Sequence, residues 1–368
     1  MQNTIPNQLP SAEIPEVRNF ATSPGQYYQT VDPYDVVFHV IVVRVTYDMR
    51  MCSSDGVPRK AKKQQPLAVE DRFSGAMNLS SLIWESDFAP YKPKCDILLL
   101  NGVAYAPNRQ PSEGWPVGIA FGDMEKKIYV TGKRSVRKAL VGWKLTQPEK
   151  ILSLPLMYEY AFGGVNRYPE AVNKTDEYKI HEVFLNNPAG CGFVDSKWLS
   201  MAKPDQFQAP QLEVLDEHYN GQQTNYPVAG FGPLARSWLP RSSLAGTYDE
   251  KWKSERWPGL PIDHDYRYWN CAPADQQIDF PTGGEEIGLL NLHPDIQRIY
   301  LRLPKYRYIS VIRLQSGPML RKNFNLDTIG IDMESRELHC LYRVTVPSDI
   351  EVRVLEVHED VPGEGGDG

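Results

Sequence analysis

Short segments in which apolar and polar residues alternate recur along the chain, separated by Pro, Gly and polar residues. Alternation with a period of two is typical of strands, and the apolar residues here are mostly β-branched or aromatic. Residues 350–357 alternate most regularly, whereas 97–103 is apolar almost throughout and predicts a strand buried on both faces. The last three predicted strands are expected to form an antiparallel meander. The pattern predicts strands at 36–47, 97–103, 117–121, 127–131, 287–292, 297–303, 308–314, 328–333, 337–346 and 350–357.

Helical periodicity is scarce. Residues 249–257 predict one or two helical turns, which Asp249 would cap and the Pro258-Gly259 pair would end. Parallel α/β sheets need crossover helices of about ten or more residues between strands, and no such pattern occurs in the sequence. The sequence therefore predicts a mainly β fold of sandwich-like packed sheets, or of closed ones, with long structured loops and few short helices.

The length of 368 residues allows more than one domain. We expect an N-terminal extension at 1–33, an N-terminal β domain at 34–165 and a second part at 166–345. The second part contains a polar loop at 169–178 and a Trp-rich segment at 227–274, which lacks any long apolar run. Residues 346–368 are expected to form a terminal strand and a disordered acidic, Gly-rich tail that starts near Glu359.

Charge and apolar content limit the classes of function. The formal net charge of −6 argues against nucleic-acid binding. Basic clusters occur at 59–63, 126–138 and 298–321; apolar residues interrupt the last two, which favours charged outer faces of strands over a phosphate-binding stripe. The polar N-terminus does not resemble a signal peptide, and the apolar stretch at 36–45 is about half as long as a membrane span. We therefore expect a cytoplasmic protein without a membrane span.

Few residues have the context of a catalytic or metal site. The five Cys are scattered without zinc-ligand spacing, and no cofactor motif occurs, so we predict neither metal nor cofactor. Asp263 and Asp265 flank a His, which would suit acid–base or metal chemistry, but turn capping is the favoured interpretation. Glu285 offers a carboxylate for glycoside hydrolysis, but a tight turn before a strand is favoured there. Cys191 lies between two Gly and has no assignable His partner.

The Trp residues of segment 227–274 are the stronger functional signal. Trp beside Arg is the usual composition of a protein-binding hot spot, and aromatic side chains also pin irregular segments onto a core. Both interpretations remain open at this point, because a pinned loop can also bind. The predicted partner-binding residues are Trp238, Arg241, Trp252, Arg256, Trp257 and Trp269.

Several segments in fixed order resemble one known family. They lie at 86–107, 154–164, 186–193 (NNPAGCGF), 227–252, 260–278 and 281–292. Together they are similar to a bacterial domain-of-unknown-function family encoded beside the type VI secretion spike protein VgrG and PAAR-containing effectors. The similarity extends from about residue 36 to 343. Cys95, Asn101, Cys191 and Gly284 depart from the family's pattern, which leaves the partner surface open.

The resemblance implies a non-catalytic cytoplasmic adaptor or chaperone. Such a protein would bind a type VI effector through its PAAR or adjacent N-terminal region and help load it onto VgrG. It carries over no catalytic residues. The alternative is a hydrolase of cell-wall or glycan substrates that uses Asp263, Asp265 or Glu285. Further alternatives are a structural component that travels with the spike and a carbohydrate-binding module. The sequence leaves the oligomeric state open.

Overall fold

A computed structural model describes residues 9–168 and 179–360. Residues 1–8 of the predicted extension, the predicted loop at 169–178 and residues 361–368 of the predicted tail lie outside the described residues. Within the described ranges, no helix is long and apolar enough to cross a membrane.

Strands dominate the described residues, with two short α-helices and five 3₁₀ turns. The strands are β1 (Glu16–Asn19), β2 (Gly25–Val31), β3 (Val37–Cys52), β4 (Pro58–Lys60), β5 (Arg72–Phe73), β6 (Leu82–Trp84), β7 (Cys95–Leu100), β8 (Val103–Tyr105), β9 (Gly114–Phe121), β10 (Met124–Thr131), β11 (Ser135–Lys138), β12 (Trp143–Leu145), β13 (Ser153–Pro155), β14 (Phe162–Gly163), β15 (Val165–Tyr168), β16 (Lys179–Val183), β17 (Cys191–Gly192), β18 (Gln206–Gln208), β19 (Leu212–Val214), β20 (Gln277–Ile278), β21 (Glu286–Leu290), β22 (Arg298–Arg302), β23 (Arg307–Leu314), β24 (Met319–Asn323), β25 (Asn325–Asp332), β26 (Glu337–Pro347) and β27 (Val352–Asp360). The α-helices are α1 (Ser196–Ala202) and α2 (Glu250–Glu255), and the 3₁₀ turns are Pro107–Arg109, Tyr158–Tyr160, Arg241–Leu244, Tyr266–Trp269 and Ala274–Gln276.

The largest sheet has seven strands, in the order β2–β3–β26–β25–β7–β20 with β4 beside β3. Its pairs are antiparallel except β25 and β7, which run parallel. A five-stranded sheet has the order β19–β10–β9–β21–β22, and a four-stranded sheet has the order β1–β27–β23–β24. The smaller sheets are β12–β11–β18, β13–β8, β14–β17, β15–β16 and β5–β6.

Side chains on one face of the seven-stranded sheet form the main core. On β3, Ile41, Val43 and Val45 point to that face because strand side chains alternate. They share one hydrophobic cluster with Ile119 of the five-stranded sheet and Leu355 of the four-stranded sheet. The prediction of a mainly β, sandwich-like fold is confirmed.

The opposite face of the same sheet is also buried. Val42, Leu98 and Leu341 lie there in a second cluster with Trp84 and Cys271, which belong to segments outside the sheet. An antiparallel sheet commonly leaves one face to solvent. Here the chain covers that face with loop segments, which include the Trp-rich segment 227–274.

The predicted strands agree well with the structure. Each coincides with a strand or most of one, and every residue of β7 is buried. The predicted helical turns are confirmed as α2, where the Asp249 side chain accepts a hydrogen bond from Trp252 N at 2.8 Å.

The predicted C-terminal meander is wrong in its last strand. β25 and β26 pair, but β27 lies between β1 and β23 in the four-stranded sheet. The reason is that β26 already has a strand on each side, β3 and β25, so no edge is left for β27. The sequence predicts that the tail starts near Glu359, but Glu359 and Asp360 belong to β27.

Candidate functional site

Segment 227–274 is fastened to the seven-stranded sheet through Asp96 of β7. The fully buried Asp96 carboxylate accepts hydrogen bonds from Asn270 Nδ2 at 3.0 Å, Cys271 N at 3.0 Å and Ala272 N at 3.1 Å. Lys92 Nζ lies 2.8 Å from the same carboxylate and donates to Thr328 of the adjacent β25. Burial alone would lower the pKa of Lys92, but the anionic groups around it, of which Asp96 has the largest effect, together raise the pKa. This direction favours the charged form of Lys92.

A second buried cluster joins the segment to residue 85. Arg241 Nη2 donates to Glu85 Oε1 at 2.7 Å and to Tyr268 O at 2.8 Å, and Arg241 Nη1 donates to Leu234 O. Arg236 approaches the same Glu85 oxygen at 2.9 Å. A planar guanidinium with several donors suits such a clamp, because one side chain satisfies several carbonyl groups at once.

A third cluster lies on β25 and β26. Arg343 Nε donates to Asp327 at 2.6 Å, and Arg343 Nη1 donates to the carbonyls of Asp87 and Ala89. Arg44 pairs with the Asp87 carboxylate at 3.3 Å. Burial raises the pKa of Asp87, although Arg44 opposes this.

The buried charges of these three clusters balance. Removing one partner of a buried ion pair is costly, because the other charge is left unpaired. We interpret these three clusters, together called the clamp, as structural rather than catalytic. Its four cations are Arg44, Lys92, Arg241 and Arg343, and its four anions are Glu85, Asp87, Asp96 and Asp327.

Two of the six predicted partner-binding residues belong to the interior. Trp238 is 0% exposed, its indole Nε1 donates to Asn78 O at 2.8 Å, and its ring meets Tyr158 edge to face. Arg241 is buried in the clamp described above. In this conformation neither side chain is accessible to a partner. Both instead fix segment 227–274 to the interior through their internal hydrogen bonds.

Trp269 is half-buried and also has internal partners. Its Nε1 donates to His264 Nε2 at 3.1 Å, and Arg236 lies over its ring at 5.2 Å. His264 Nδ1 lies 3.0 Å from Ala245 O, so the imidazole donates through Nδ1 and accepts at Nε2. This neutral tautomer links Trp269 to the preceding turn.

The remaining three predicted residues lie at the surface. Trp252 is half-buried on α2, stacks edge to face against exposed Tyr248, and donates to Gly259 O at 2.8 Å. Arg256 forms a two-pronged ion pair with Asp35 at 2.6 and 3.0 Å. Trp257 is 45% exposed.

This ion pair brings another aromatic residue beside the segment. Arg256 also donates to Pro33 O at 2.7 Å, so the turn at 33–35 lies against Arg256, the residue that follows α2. Tyr34 in that turn is 71% exposed. We define the aromatic surface as Tyr34, Tyr248, Trp252 and Trp257. Tyr34 was not predictable from the sequence, because its neighbourhood depends on a contact between residues 35 and 256.

The candidate acid–base residues have local structural roles. Asp263 accepts from Thr247 N at 2.9 Å and Thr247 Oγ1 at 2.7 Å, and these bonds lower its pKa. Asp265 caps Arg267 N at 2.9 Å, and hydrogen bonding to the Arg267 side chain lowers its pKa. The prediction that these carboxylates hold turn amides is confirmed.

Glu285 and Cys191 are also engaged locally. Glu285 accepts from Thr282 N at 2.8 Å and Gly283 N at 2.9 Å, across a turn in which Gly283 and Gly284 have φ of +97° and +96°. The predicted turn before β21 is confirmed. Burial raises the pKa of Cys191 to about 12, which disfavours the thiolate that a nucleophile needs. Over residues 9–168 and 179–360, no group of three or more His, Cys, Asp or Glu is arranged to hold a metal ion.

A cavity of about 460 Å³ lies where β7 ends. It is lined mainly by apolar side chains, among them Leu99, Leu156 and Met333, with His293 and Arg336 also on its wall. Burial, reinforced by Arg336, lowers the pKa of His293. Asp263, Asp265, Glu285 and Cys191 do not line this cavity.

The buried side chain of His339 on β26 predicts that the stability of the fold depends on pH. Burial, followed by the charge of Arg44, lowers its pKa to about 3, with Asp332, Glu337 and Arg72 also nearby. In the unfolded chain this imidazole binds a proton near pH 6.5, whereas in the folded protein it stays neutral to much lower pH. Below about pH 6.5 the unfolded state therefore binds more protons, and the free energy of unfolding falls as the pH is lowered. We expect His339 to cost about 1 kcal/mol between pH 7 and pH 5.5. Urea unfolding of wild type and His339→Gln at both pH values measures it; equal losses in both proteins would contradict the assignment.

The comparisons with known proteins agree with part of the resemblance. Residues 36–343 match the profile of a family described as "Uncharacterized protein conserved in bacteria (DUF2169)". No curated protein and no solved structure matches the chain.

Proposed function

Because the chain belongs to this uncharacterized bacterial family, DUF2169, we propose its function from its surface and from the resemblance described above. The protein is a non-catalytic adaptor that binds a PAAR-containing type VI effector, at the PAAR or adjacent N-terminal region, and helps load it onto the VgrG spike. The identity of the partners rests on the resemblance. The mode of binding rests on the aromatic surface.

The observation that carries the binding proposal is the exposure of Trp257 and Tyr34 beside the two-pronged Arg256–Asp35 ion pair. Large aromatic side chains supply much contact area at little entropic cost and are enriched at binding hot spots. The Arg256–Asp35 pair and the Trp252–Gly259 hydrogen bond hold this region in shape before a partner arrives. A preorganised surface loses less entropy on binding.

The exposed charges around the aromatic surface would select the partner. α2 carries Glu250, Lys251, Lys253 and Glu255, all of which are exposed. Charged rims contribute more to partner choice and association rate than to affinity. An apolar effector segment would pack on the aromatic surface until the effector docks on VgrG, and docking would then release the adaptor.

The test is binding of the effector encoded beside this gene. Wild type is expected to co-purify with the PAAR-containing region, and Trp257→Ala combined with Tyr34→Ala is expected to weaken the Kd by about 10- to 30-fold. Titration calorimetry measures the Kd, and thermal melting checks the fold.

Tyr300→Ala is the matched control, because Tyr300 is an exposed aromatic residue on the edge strand β22. It should leave the Kd unchanged. Failure of a well-folded wild-type protein to bind either effector or VgrG would overturn the adaptor proposal. An equal loss in the Tyr300 variant would overturn the assignment of the surface.

A further inference from the structure

The hairpin of β11 and β12 has an apolar tip. Lys138 pairs with Trp143, and Ala139 N donates to Gly142 O at 3.0 Å, which leaves Leu140 and Val141 as the central turn residues. Gly142 follows with φ of +69°, a conformation that Gly adopts without strain. Leu140 is 106% exposed and Val141 is 93% exposed.

These two aliphatic side chains contribute no packing to the fold. Central turn positions favour Gly, Asn, Asp, Pro and Ser, whose backbone preferences or side-chain hydrogen bonds stabilise turns. A Cβ added at Gly142 would meet no atom within 4 Å, so this side of the tip stands clear of the protein. Adjacent exposed aliphatic residues that the fold does not use are a sign of an interaction site.

The base of the hairpin is firmly held. Val136 is fully buried, Trp143 packs against Phe207 with ring centroids 5.3 Å apart, and β18 pairs with the outer side of β11. Arg134, just before β11, is paired with buried Glu213. The tip is therefore presented by a braced hairpin.

The surroundings of the tip are positively charged, in a chain with a formal net charge of −6. Arg137, Lys138 and Lys144 are exposed on the two strands, and Lys133 is exposed before them. Residues 133–148 include no Asp or Glu. Asp205, next to Lys138 on the neighbouring chain segment, and Glu149, whose backbone N donates to Lys133 O, offset two of these charges.

We propose that this hairpin docks on an anionic lipid surface. Leu140 and Val141 would enter the interface between headgroups and acyl chains, while the basic side chains contact lipid phosphates. A protein partner fits less well, because Leu and Val are under-represented in protein hot spots and the tip offers neither a groove nor an aromatic anchor. A bilayer needs only apolar area and opposite charge.

Co-sedimentation with vesicles tests the proposal. We expect the full chain to bind vesicles of phosphatidylglycerol and phosphatidylcholine in equal parts, but not phosphatidylcholine alone, and to dissociate as salt is raised. Leu140→Ser with Val141→Ser should reduce the partition coefficient by about 10-fold or more, since two exposed aliphatic side chains lose their burial. Lys138→Gln with Lys144→Gln should reduce it by a similar factor.

Val69→Ser with Met77→Ser is the matched control. Both side chains are exposed, but Val69 precedes Glu70 and Asp71 rather than basic residues. This variant should bind vesicles as wild type does, and so should Trp257→Ala, which separates this proposal from effector binding. Absence of binding to anionic vesicles at low salt, or equal binding by the Leu140/Val141 variant, would overturn the proposal. Loss of effector capture by that variant without vesicle binding would identify the tip as a protein contact and would also overturn it.

Discussion

Replacing Asp96 with Ala is expected to lower the free energy of unfolding by about 3–5 kcal/mol, the cost of breaking a buried ion pair by removing one partner. The change leaves Lys92 as an uncompensated buried cation, and it leaves the amides of Cys271 and Ala272 without their acceptor. Asp96→Asn should cost a comparable amount, because an amide has no negative charge for Lys92. Equilibrium unfolding in urea measures both variants.

Asp279→Ala is the control for this measurement. Its carboxylate pairs with Lys94, but the Asp279 side chain is 92% exposed. Exposed ion pairs contribute about 0–1 kcal/mol, so this variant should be close to wild type. A loss of less than about 1 kcal/mol in Asp96→Ala would contradict the clamp.

The residues that fix the Trp-rich segment lie within the segments that carry the family resemblance. Asp96 and Asn270 join it to the seven-stranded sheet, Trp238 joins it to Asn78, and Arg241 joins it to Glu85. Of the aromatic surface, Tyr248 and Trp252 also lie within those segments, whereas Tyr34 and Trp257 lie outside them.

The strands were predictable from the sequence because their apolar residues follow strand patterns. Residues 350–357 alternate between apolar and polar types, although Val354 to Val357 are all buried, and β7 is apolar enough for burial on both faces. The N-cap at Asp249 was predictable because Asp followed by a short helical pattern is a local signal. These features depend on neighbours within a few residues.

Pairing between distant segments was not predictable. The periodicity of β27 shows that it is a strand but does not show that β1 and β23 are its neighbours. Trp beside Arg has the same sequence signature whether it binds a partner or clamps a loop. For Trp238 and Arg241, the deciding contact is with Glu85, which lies 156 residues from Arg241 in the sequence and holds Arg241 in the interior.

Replacing Trp238 with Ala is expected to lower the free energy of unfolding by about 3–5 kcal/mol, the range for deleting a large buried aromatic side chain. The substitution opens a cavity beside Tyr158 and leaves the carbonyl of Asn78 without the indole donor. Any loss of effector binding should follow from this loss of stability. Urea unfolding and calorimetric titration on the same preparation measure the two effects separately.

The comparison with Trp257→Ala decides between pinning and binding. Trp257 is 45% exposed, so this variant should stay within about 1 kcal/mol of wild type and yet bind the effector more weakly. Trp238→Ala should show the reverse, with low stability but near-normal affinity in its folded fraction. If Trp238→Ala instead kept wild-type stability and lost the effector, Trp238 would have to contact the partner in a second conformation, and its assignment to the interior clamp would be wrong.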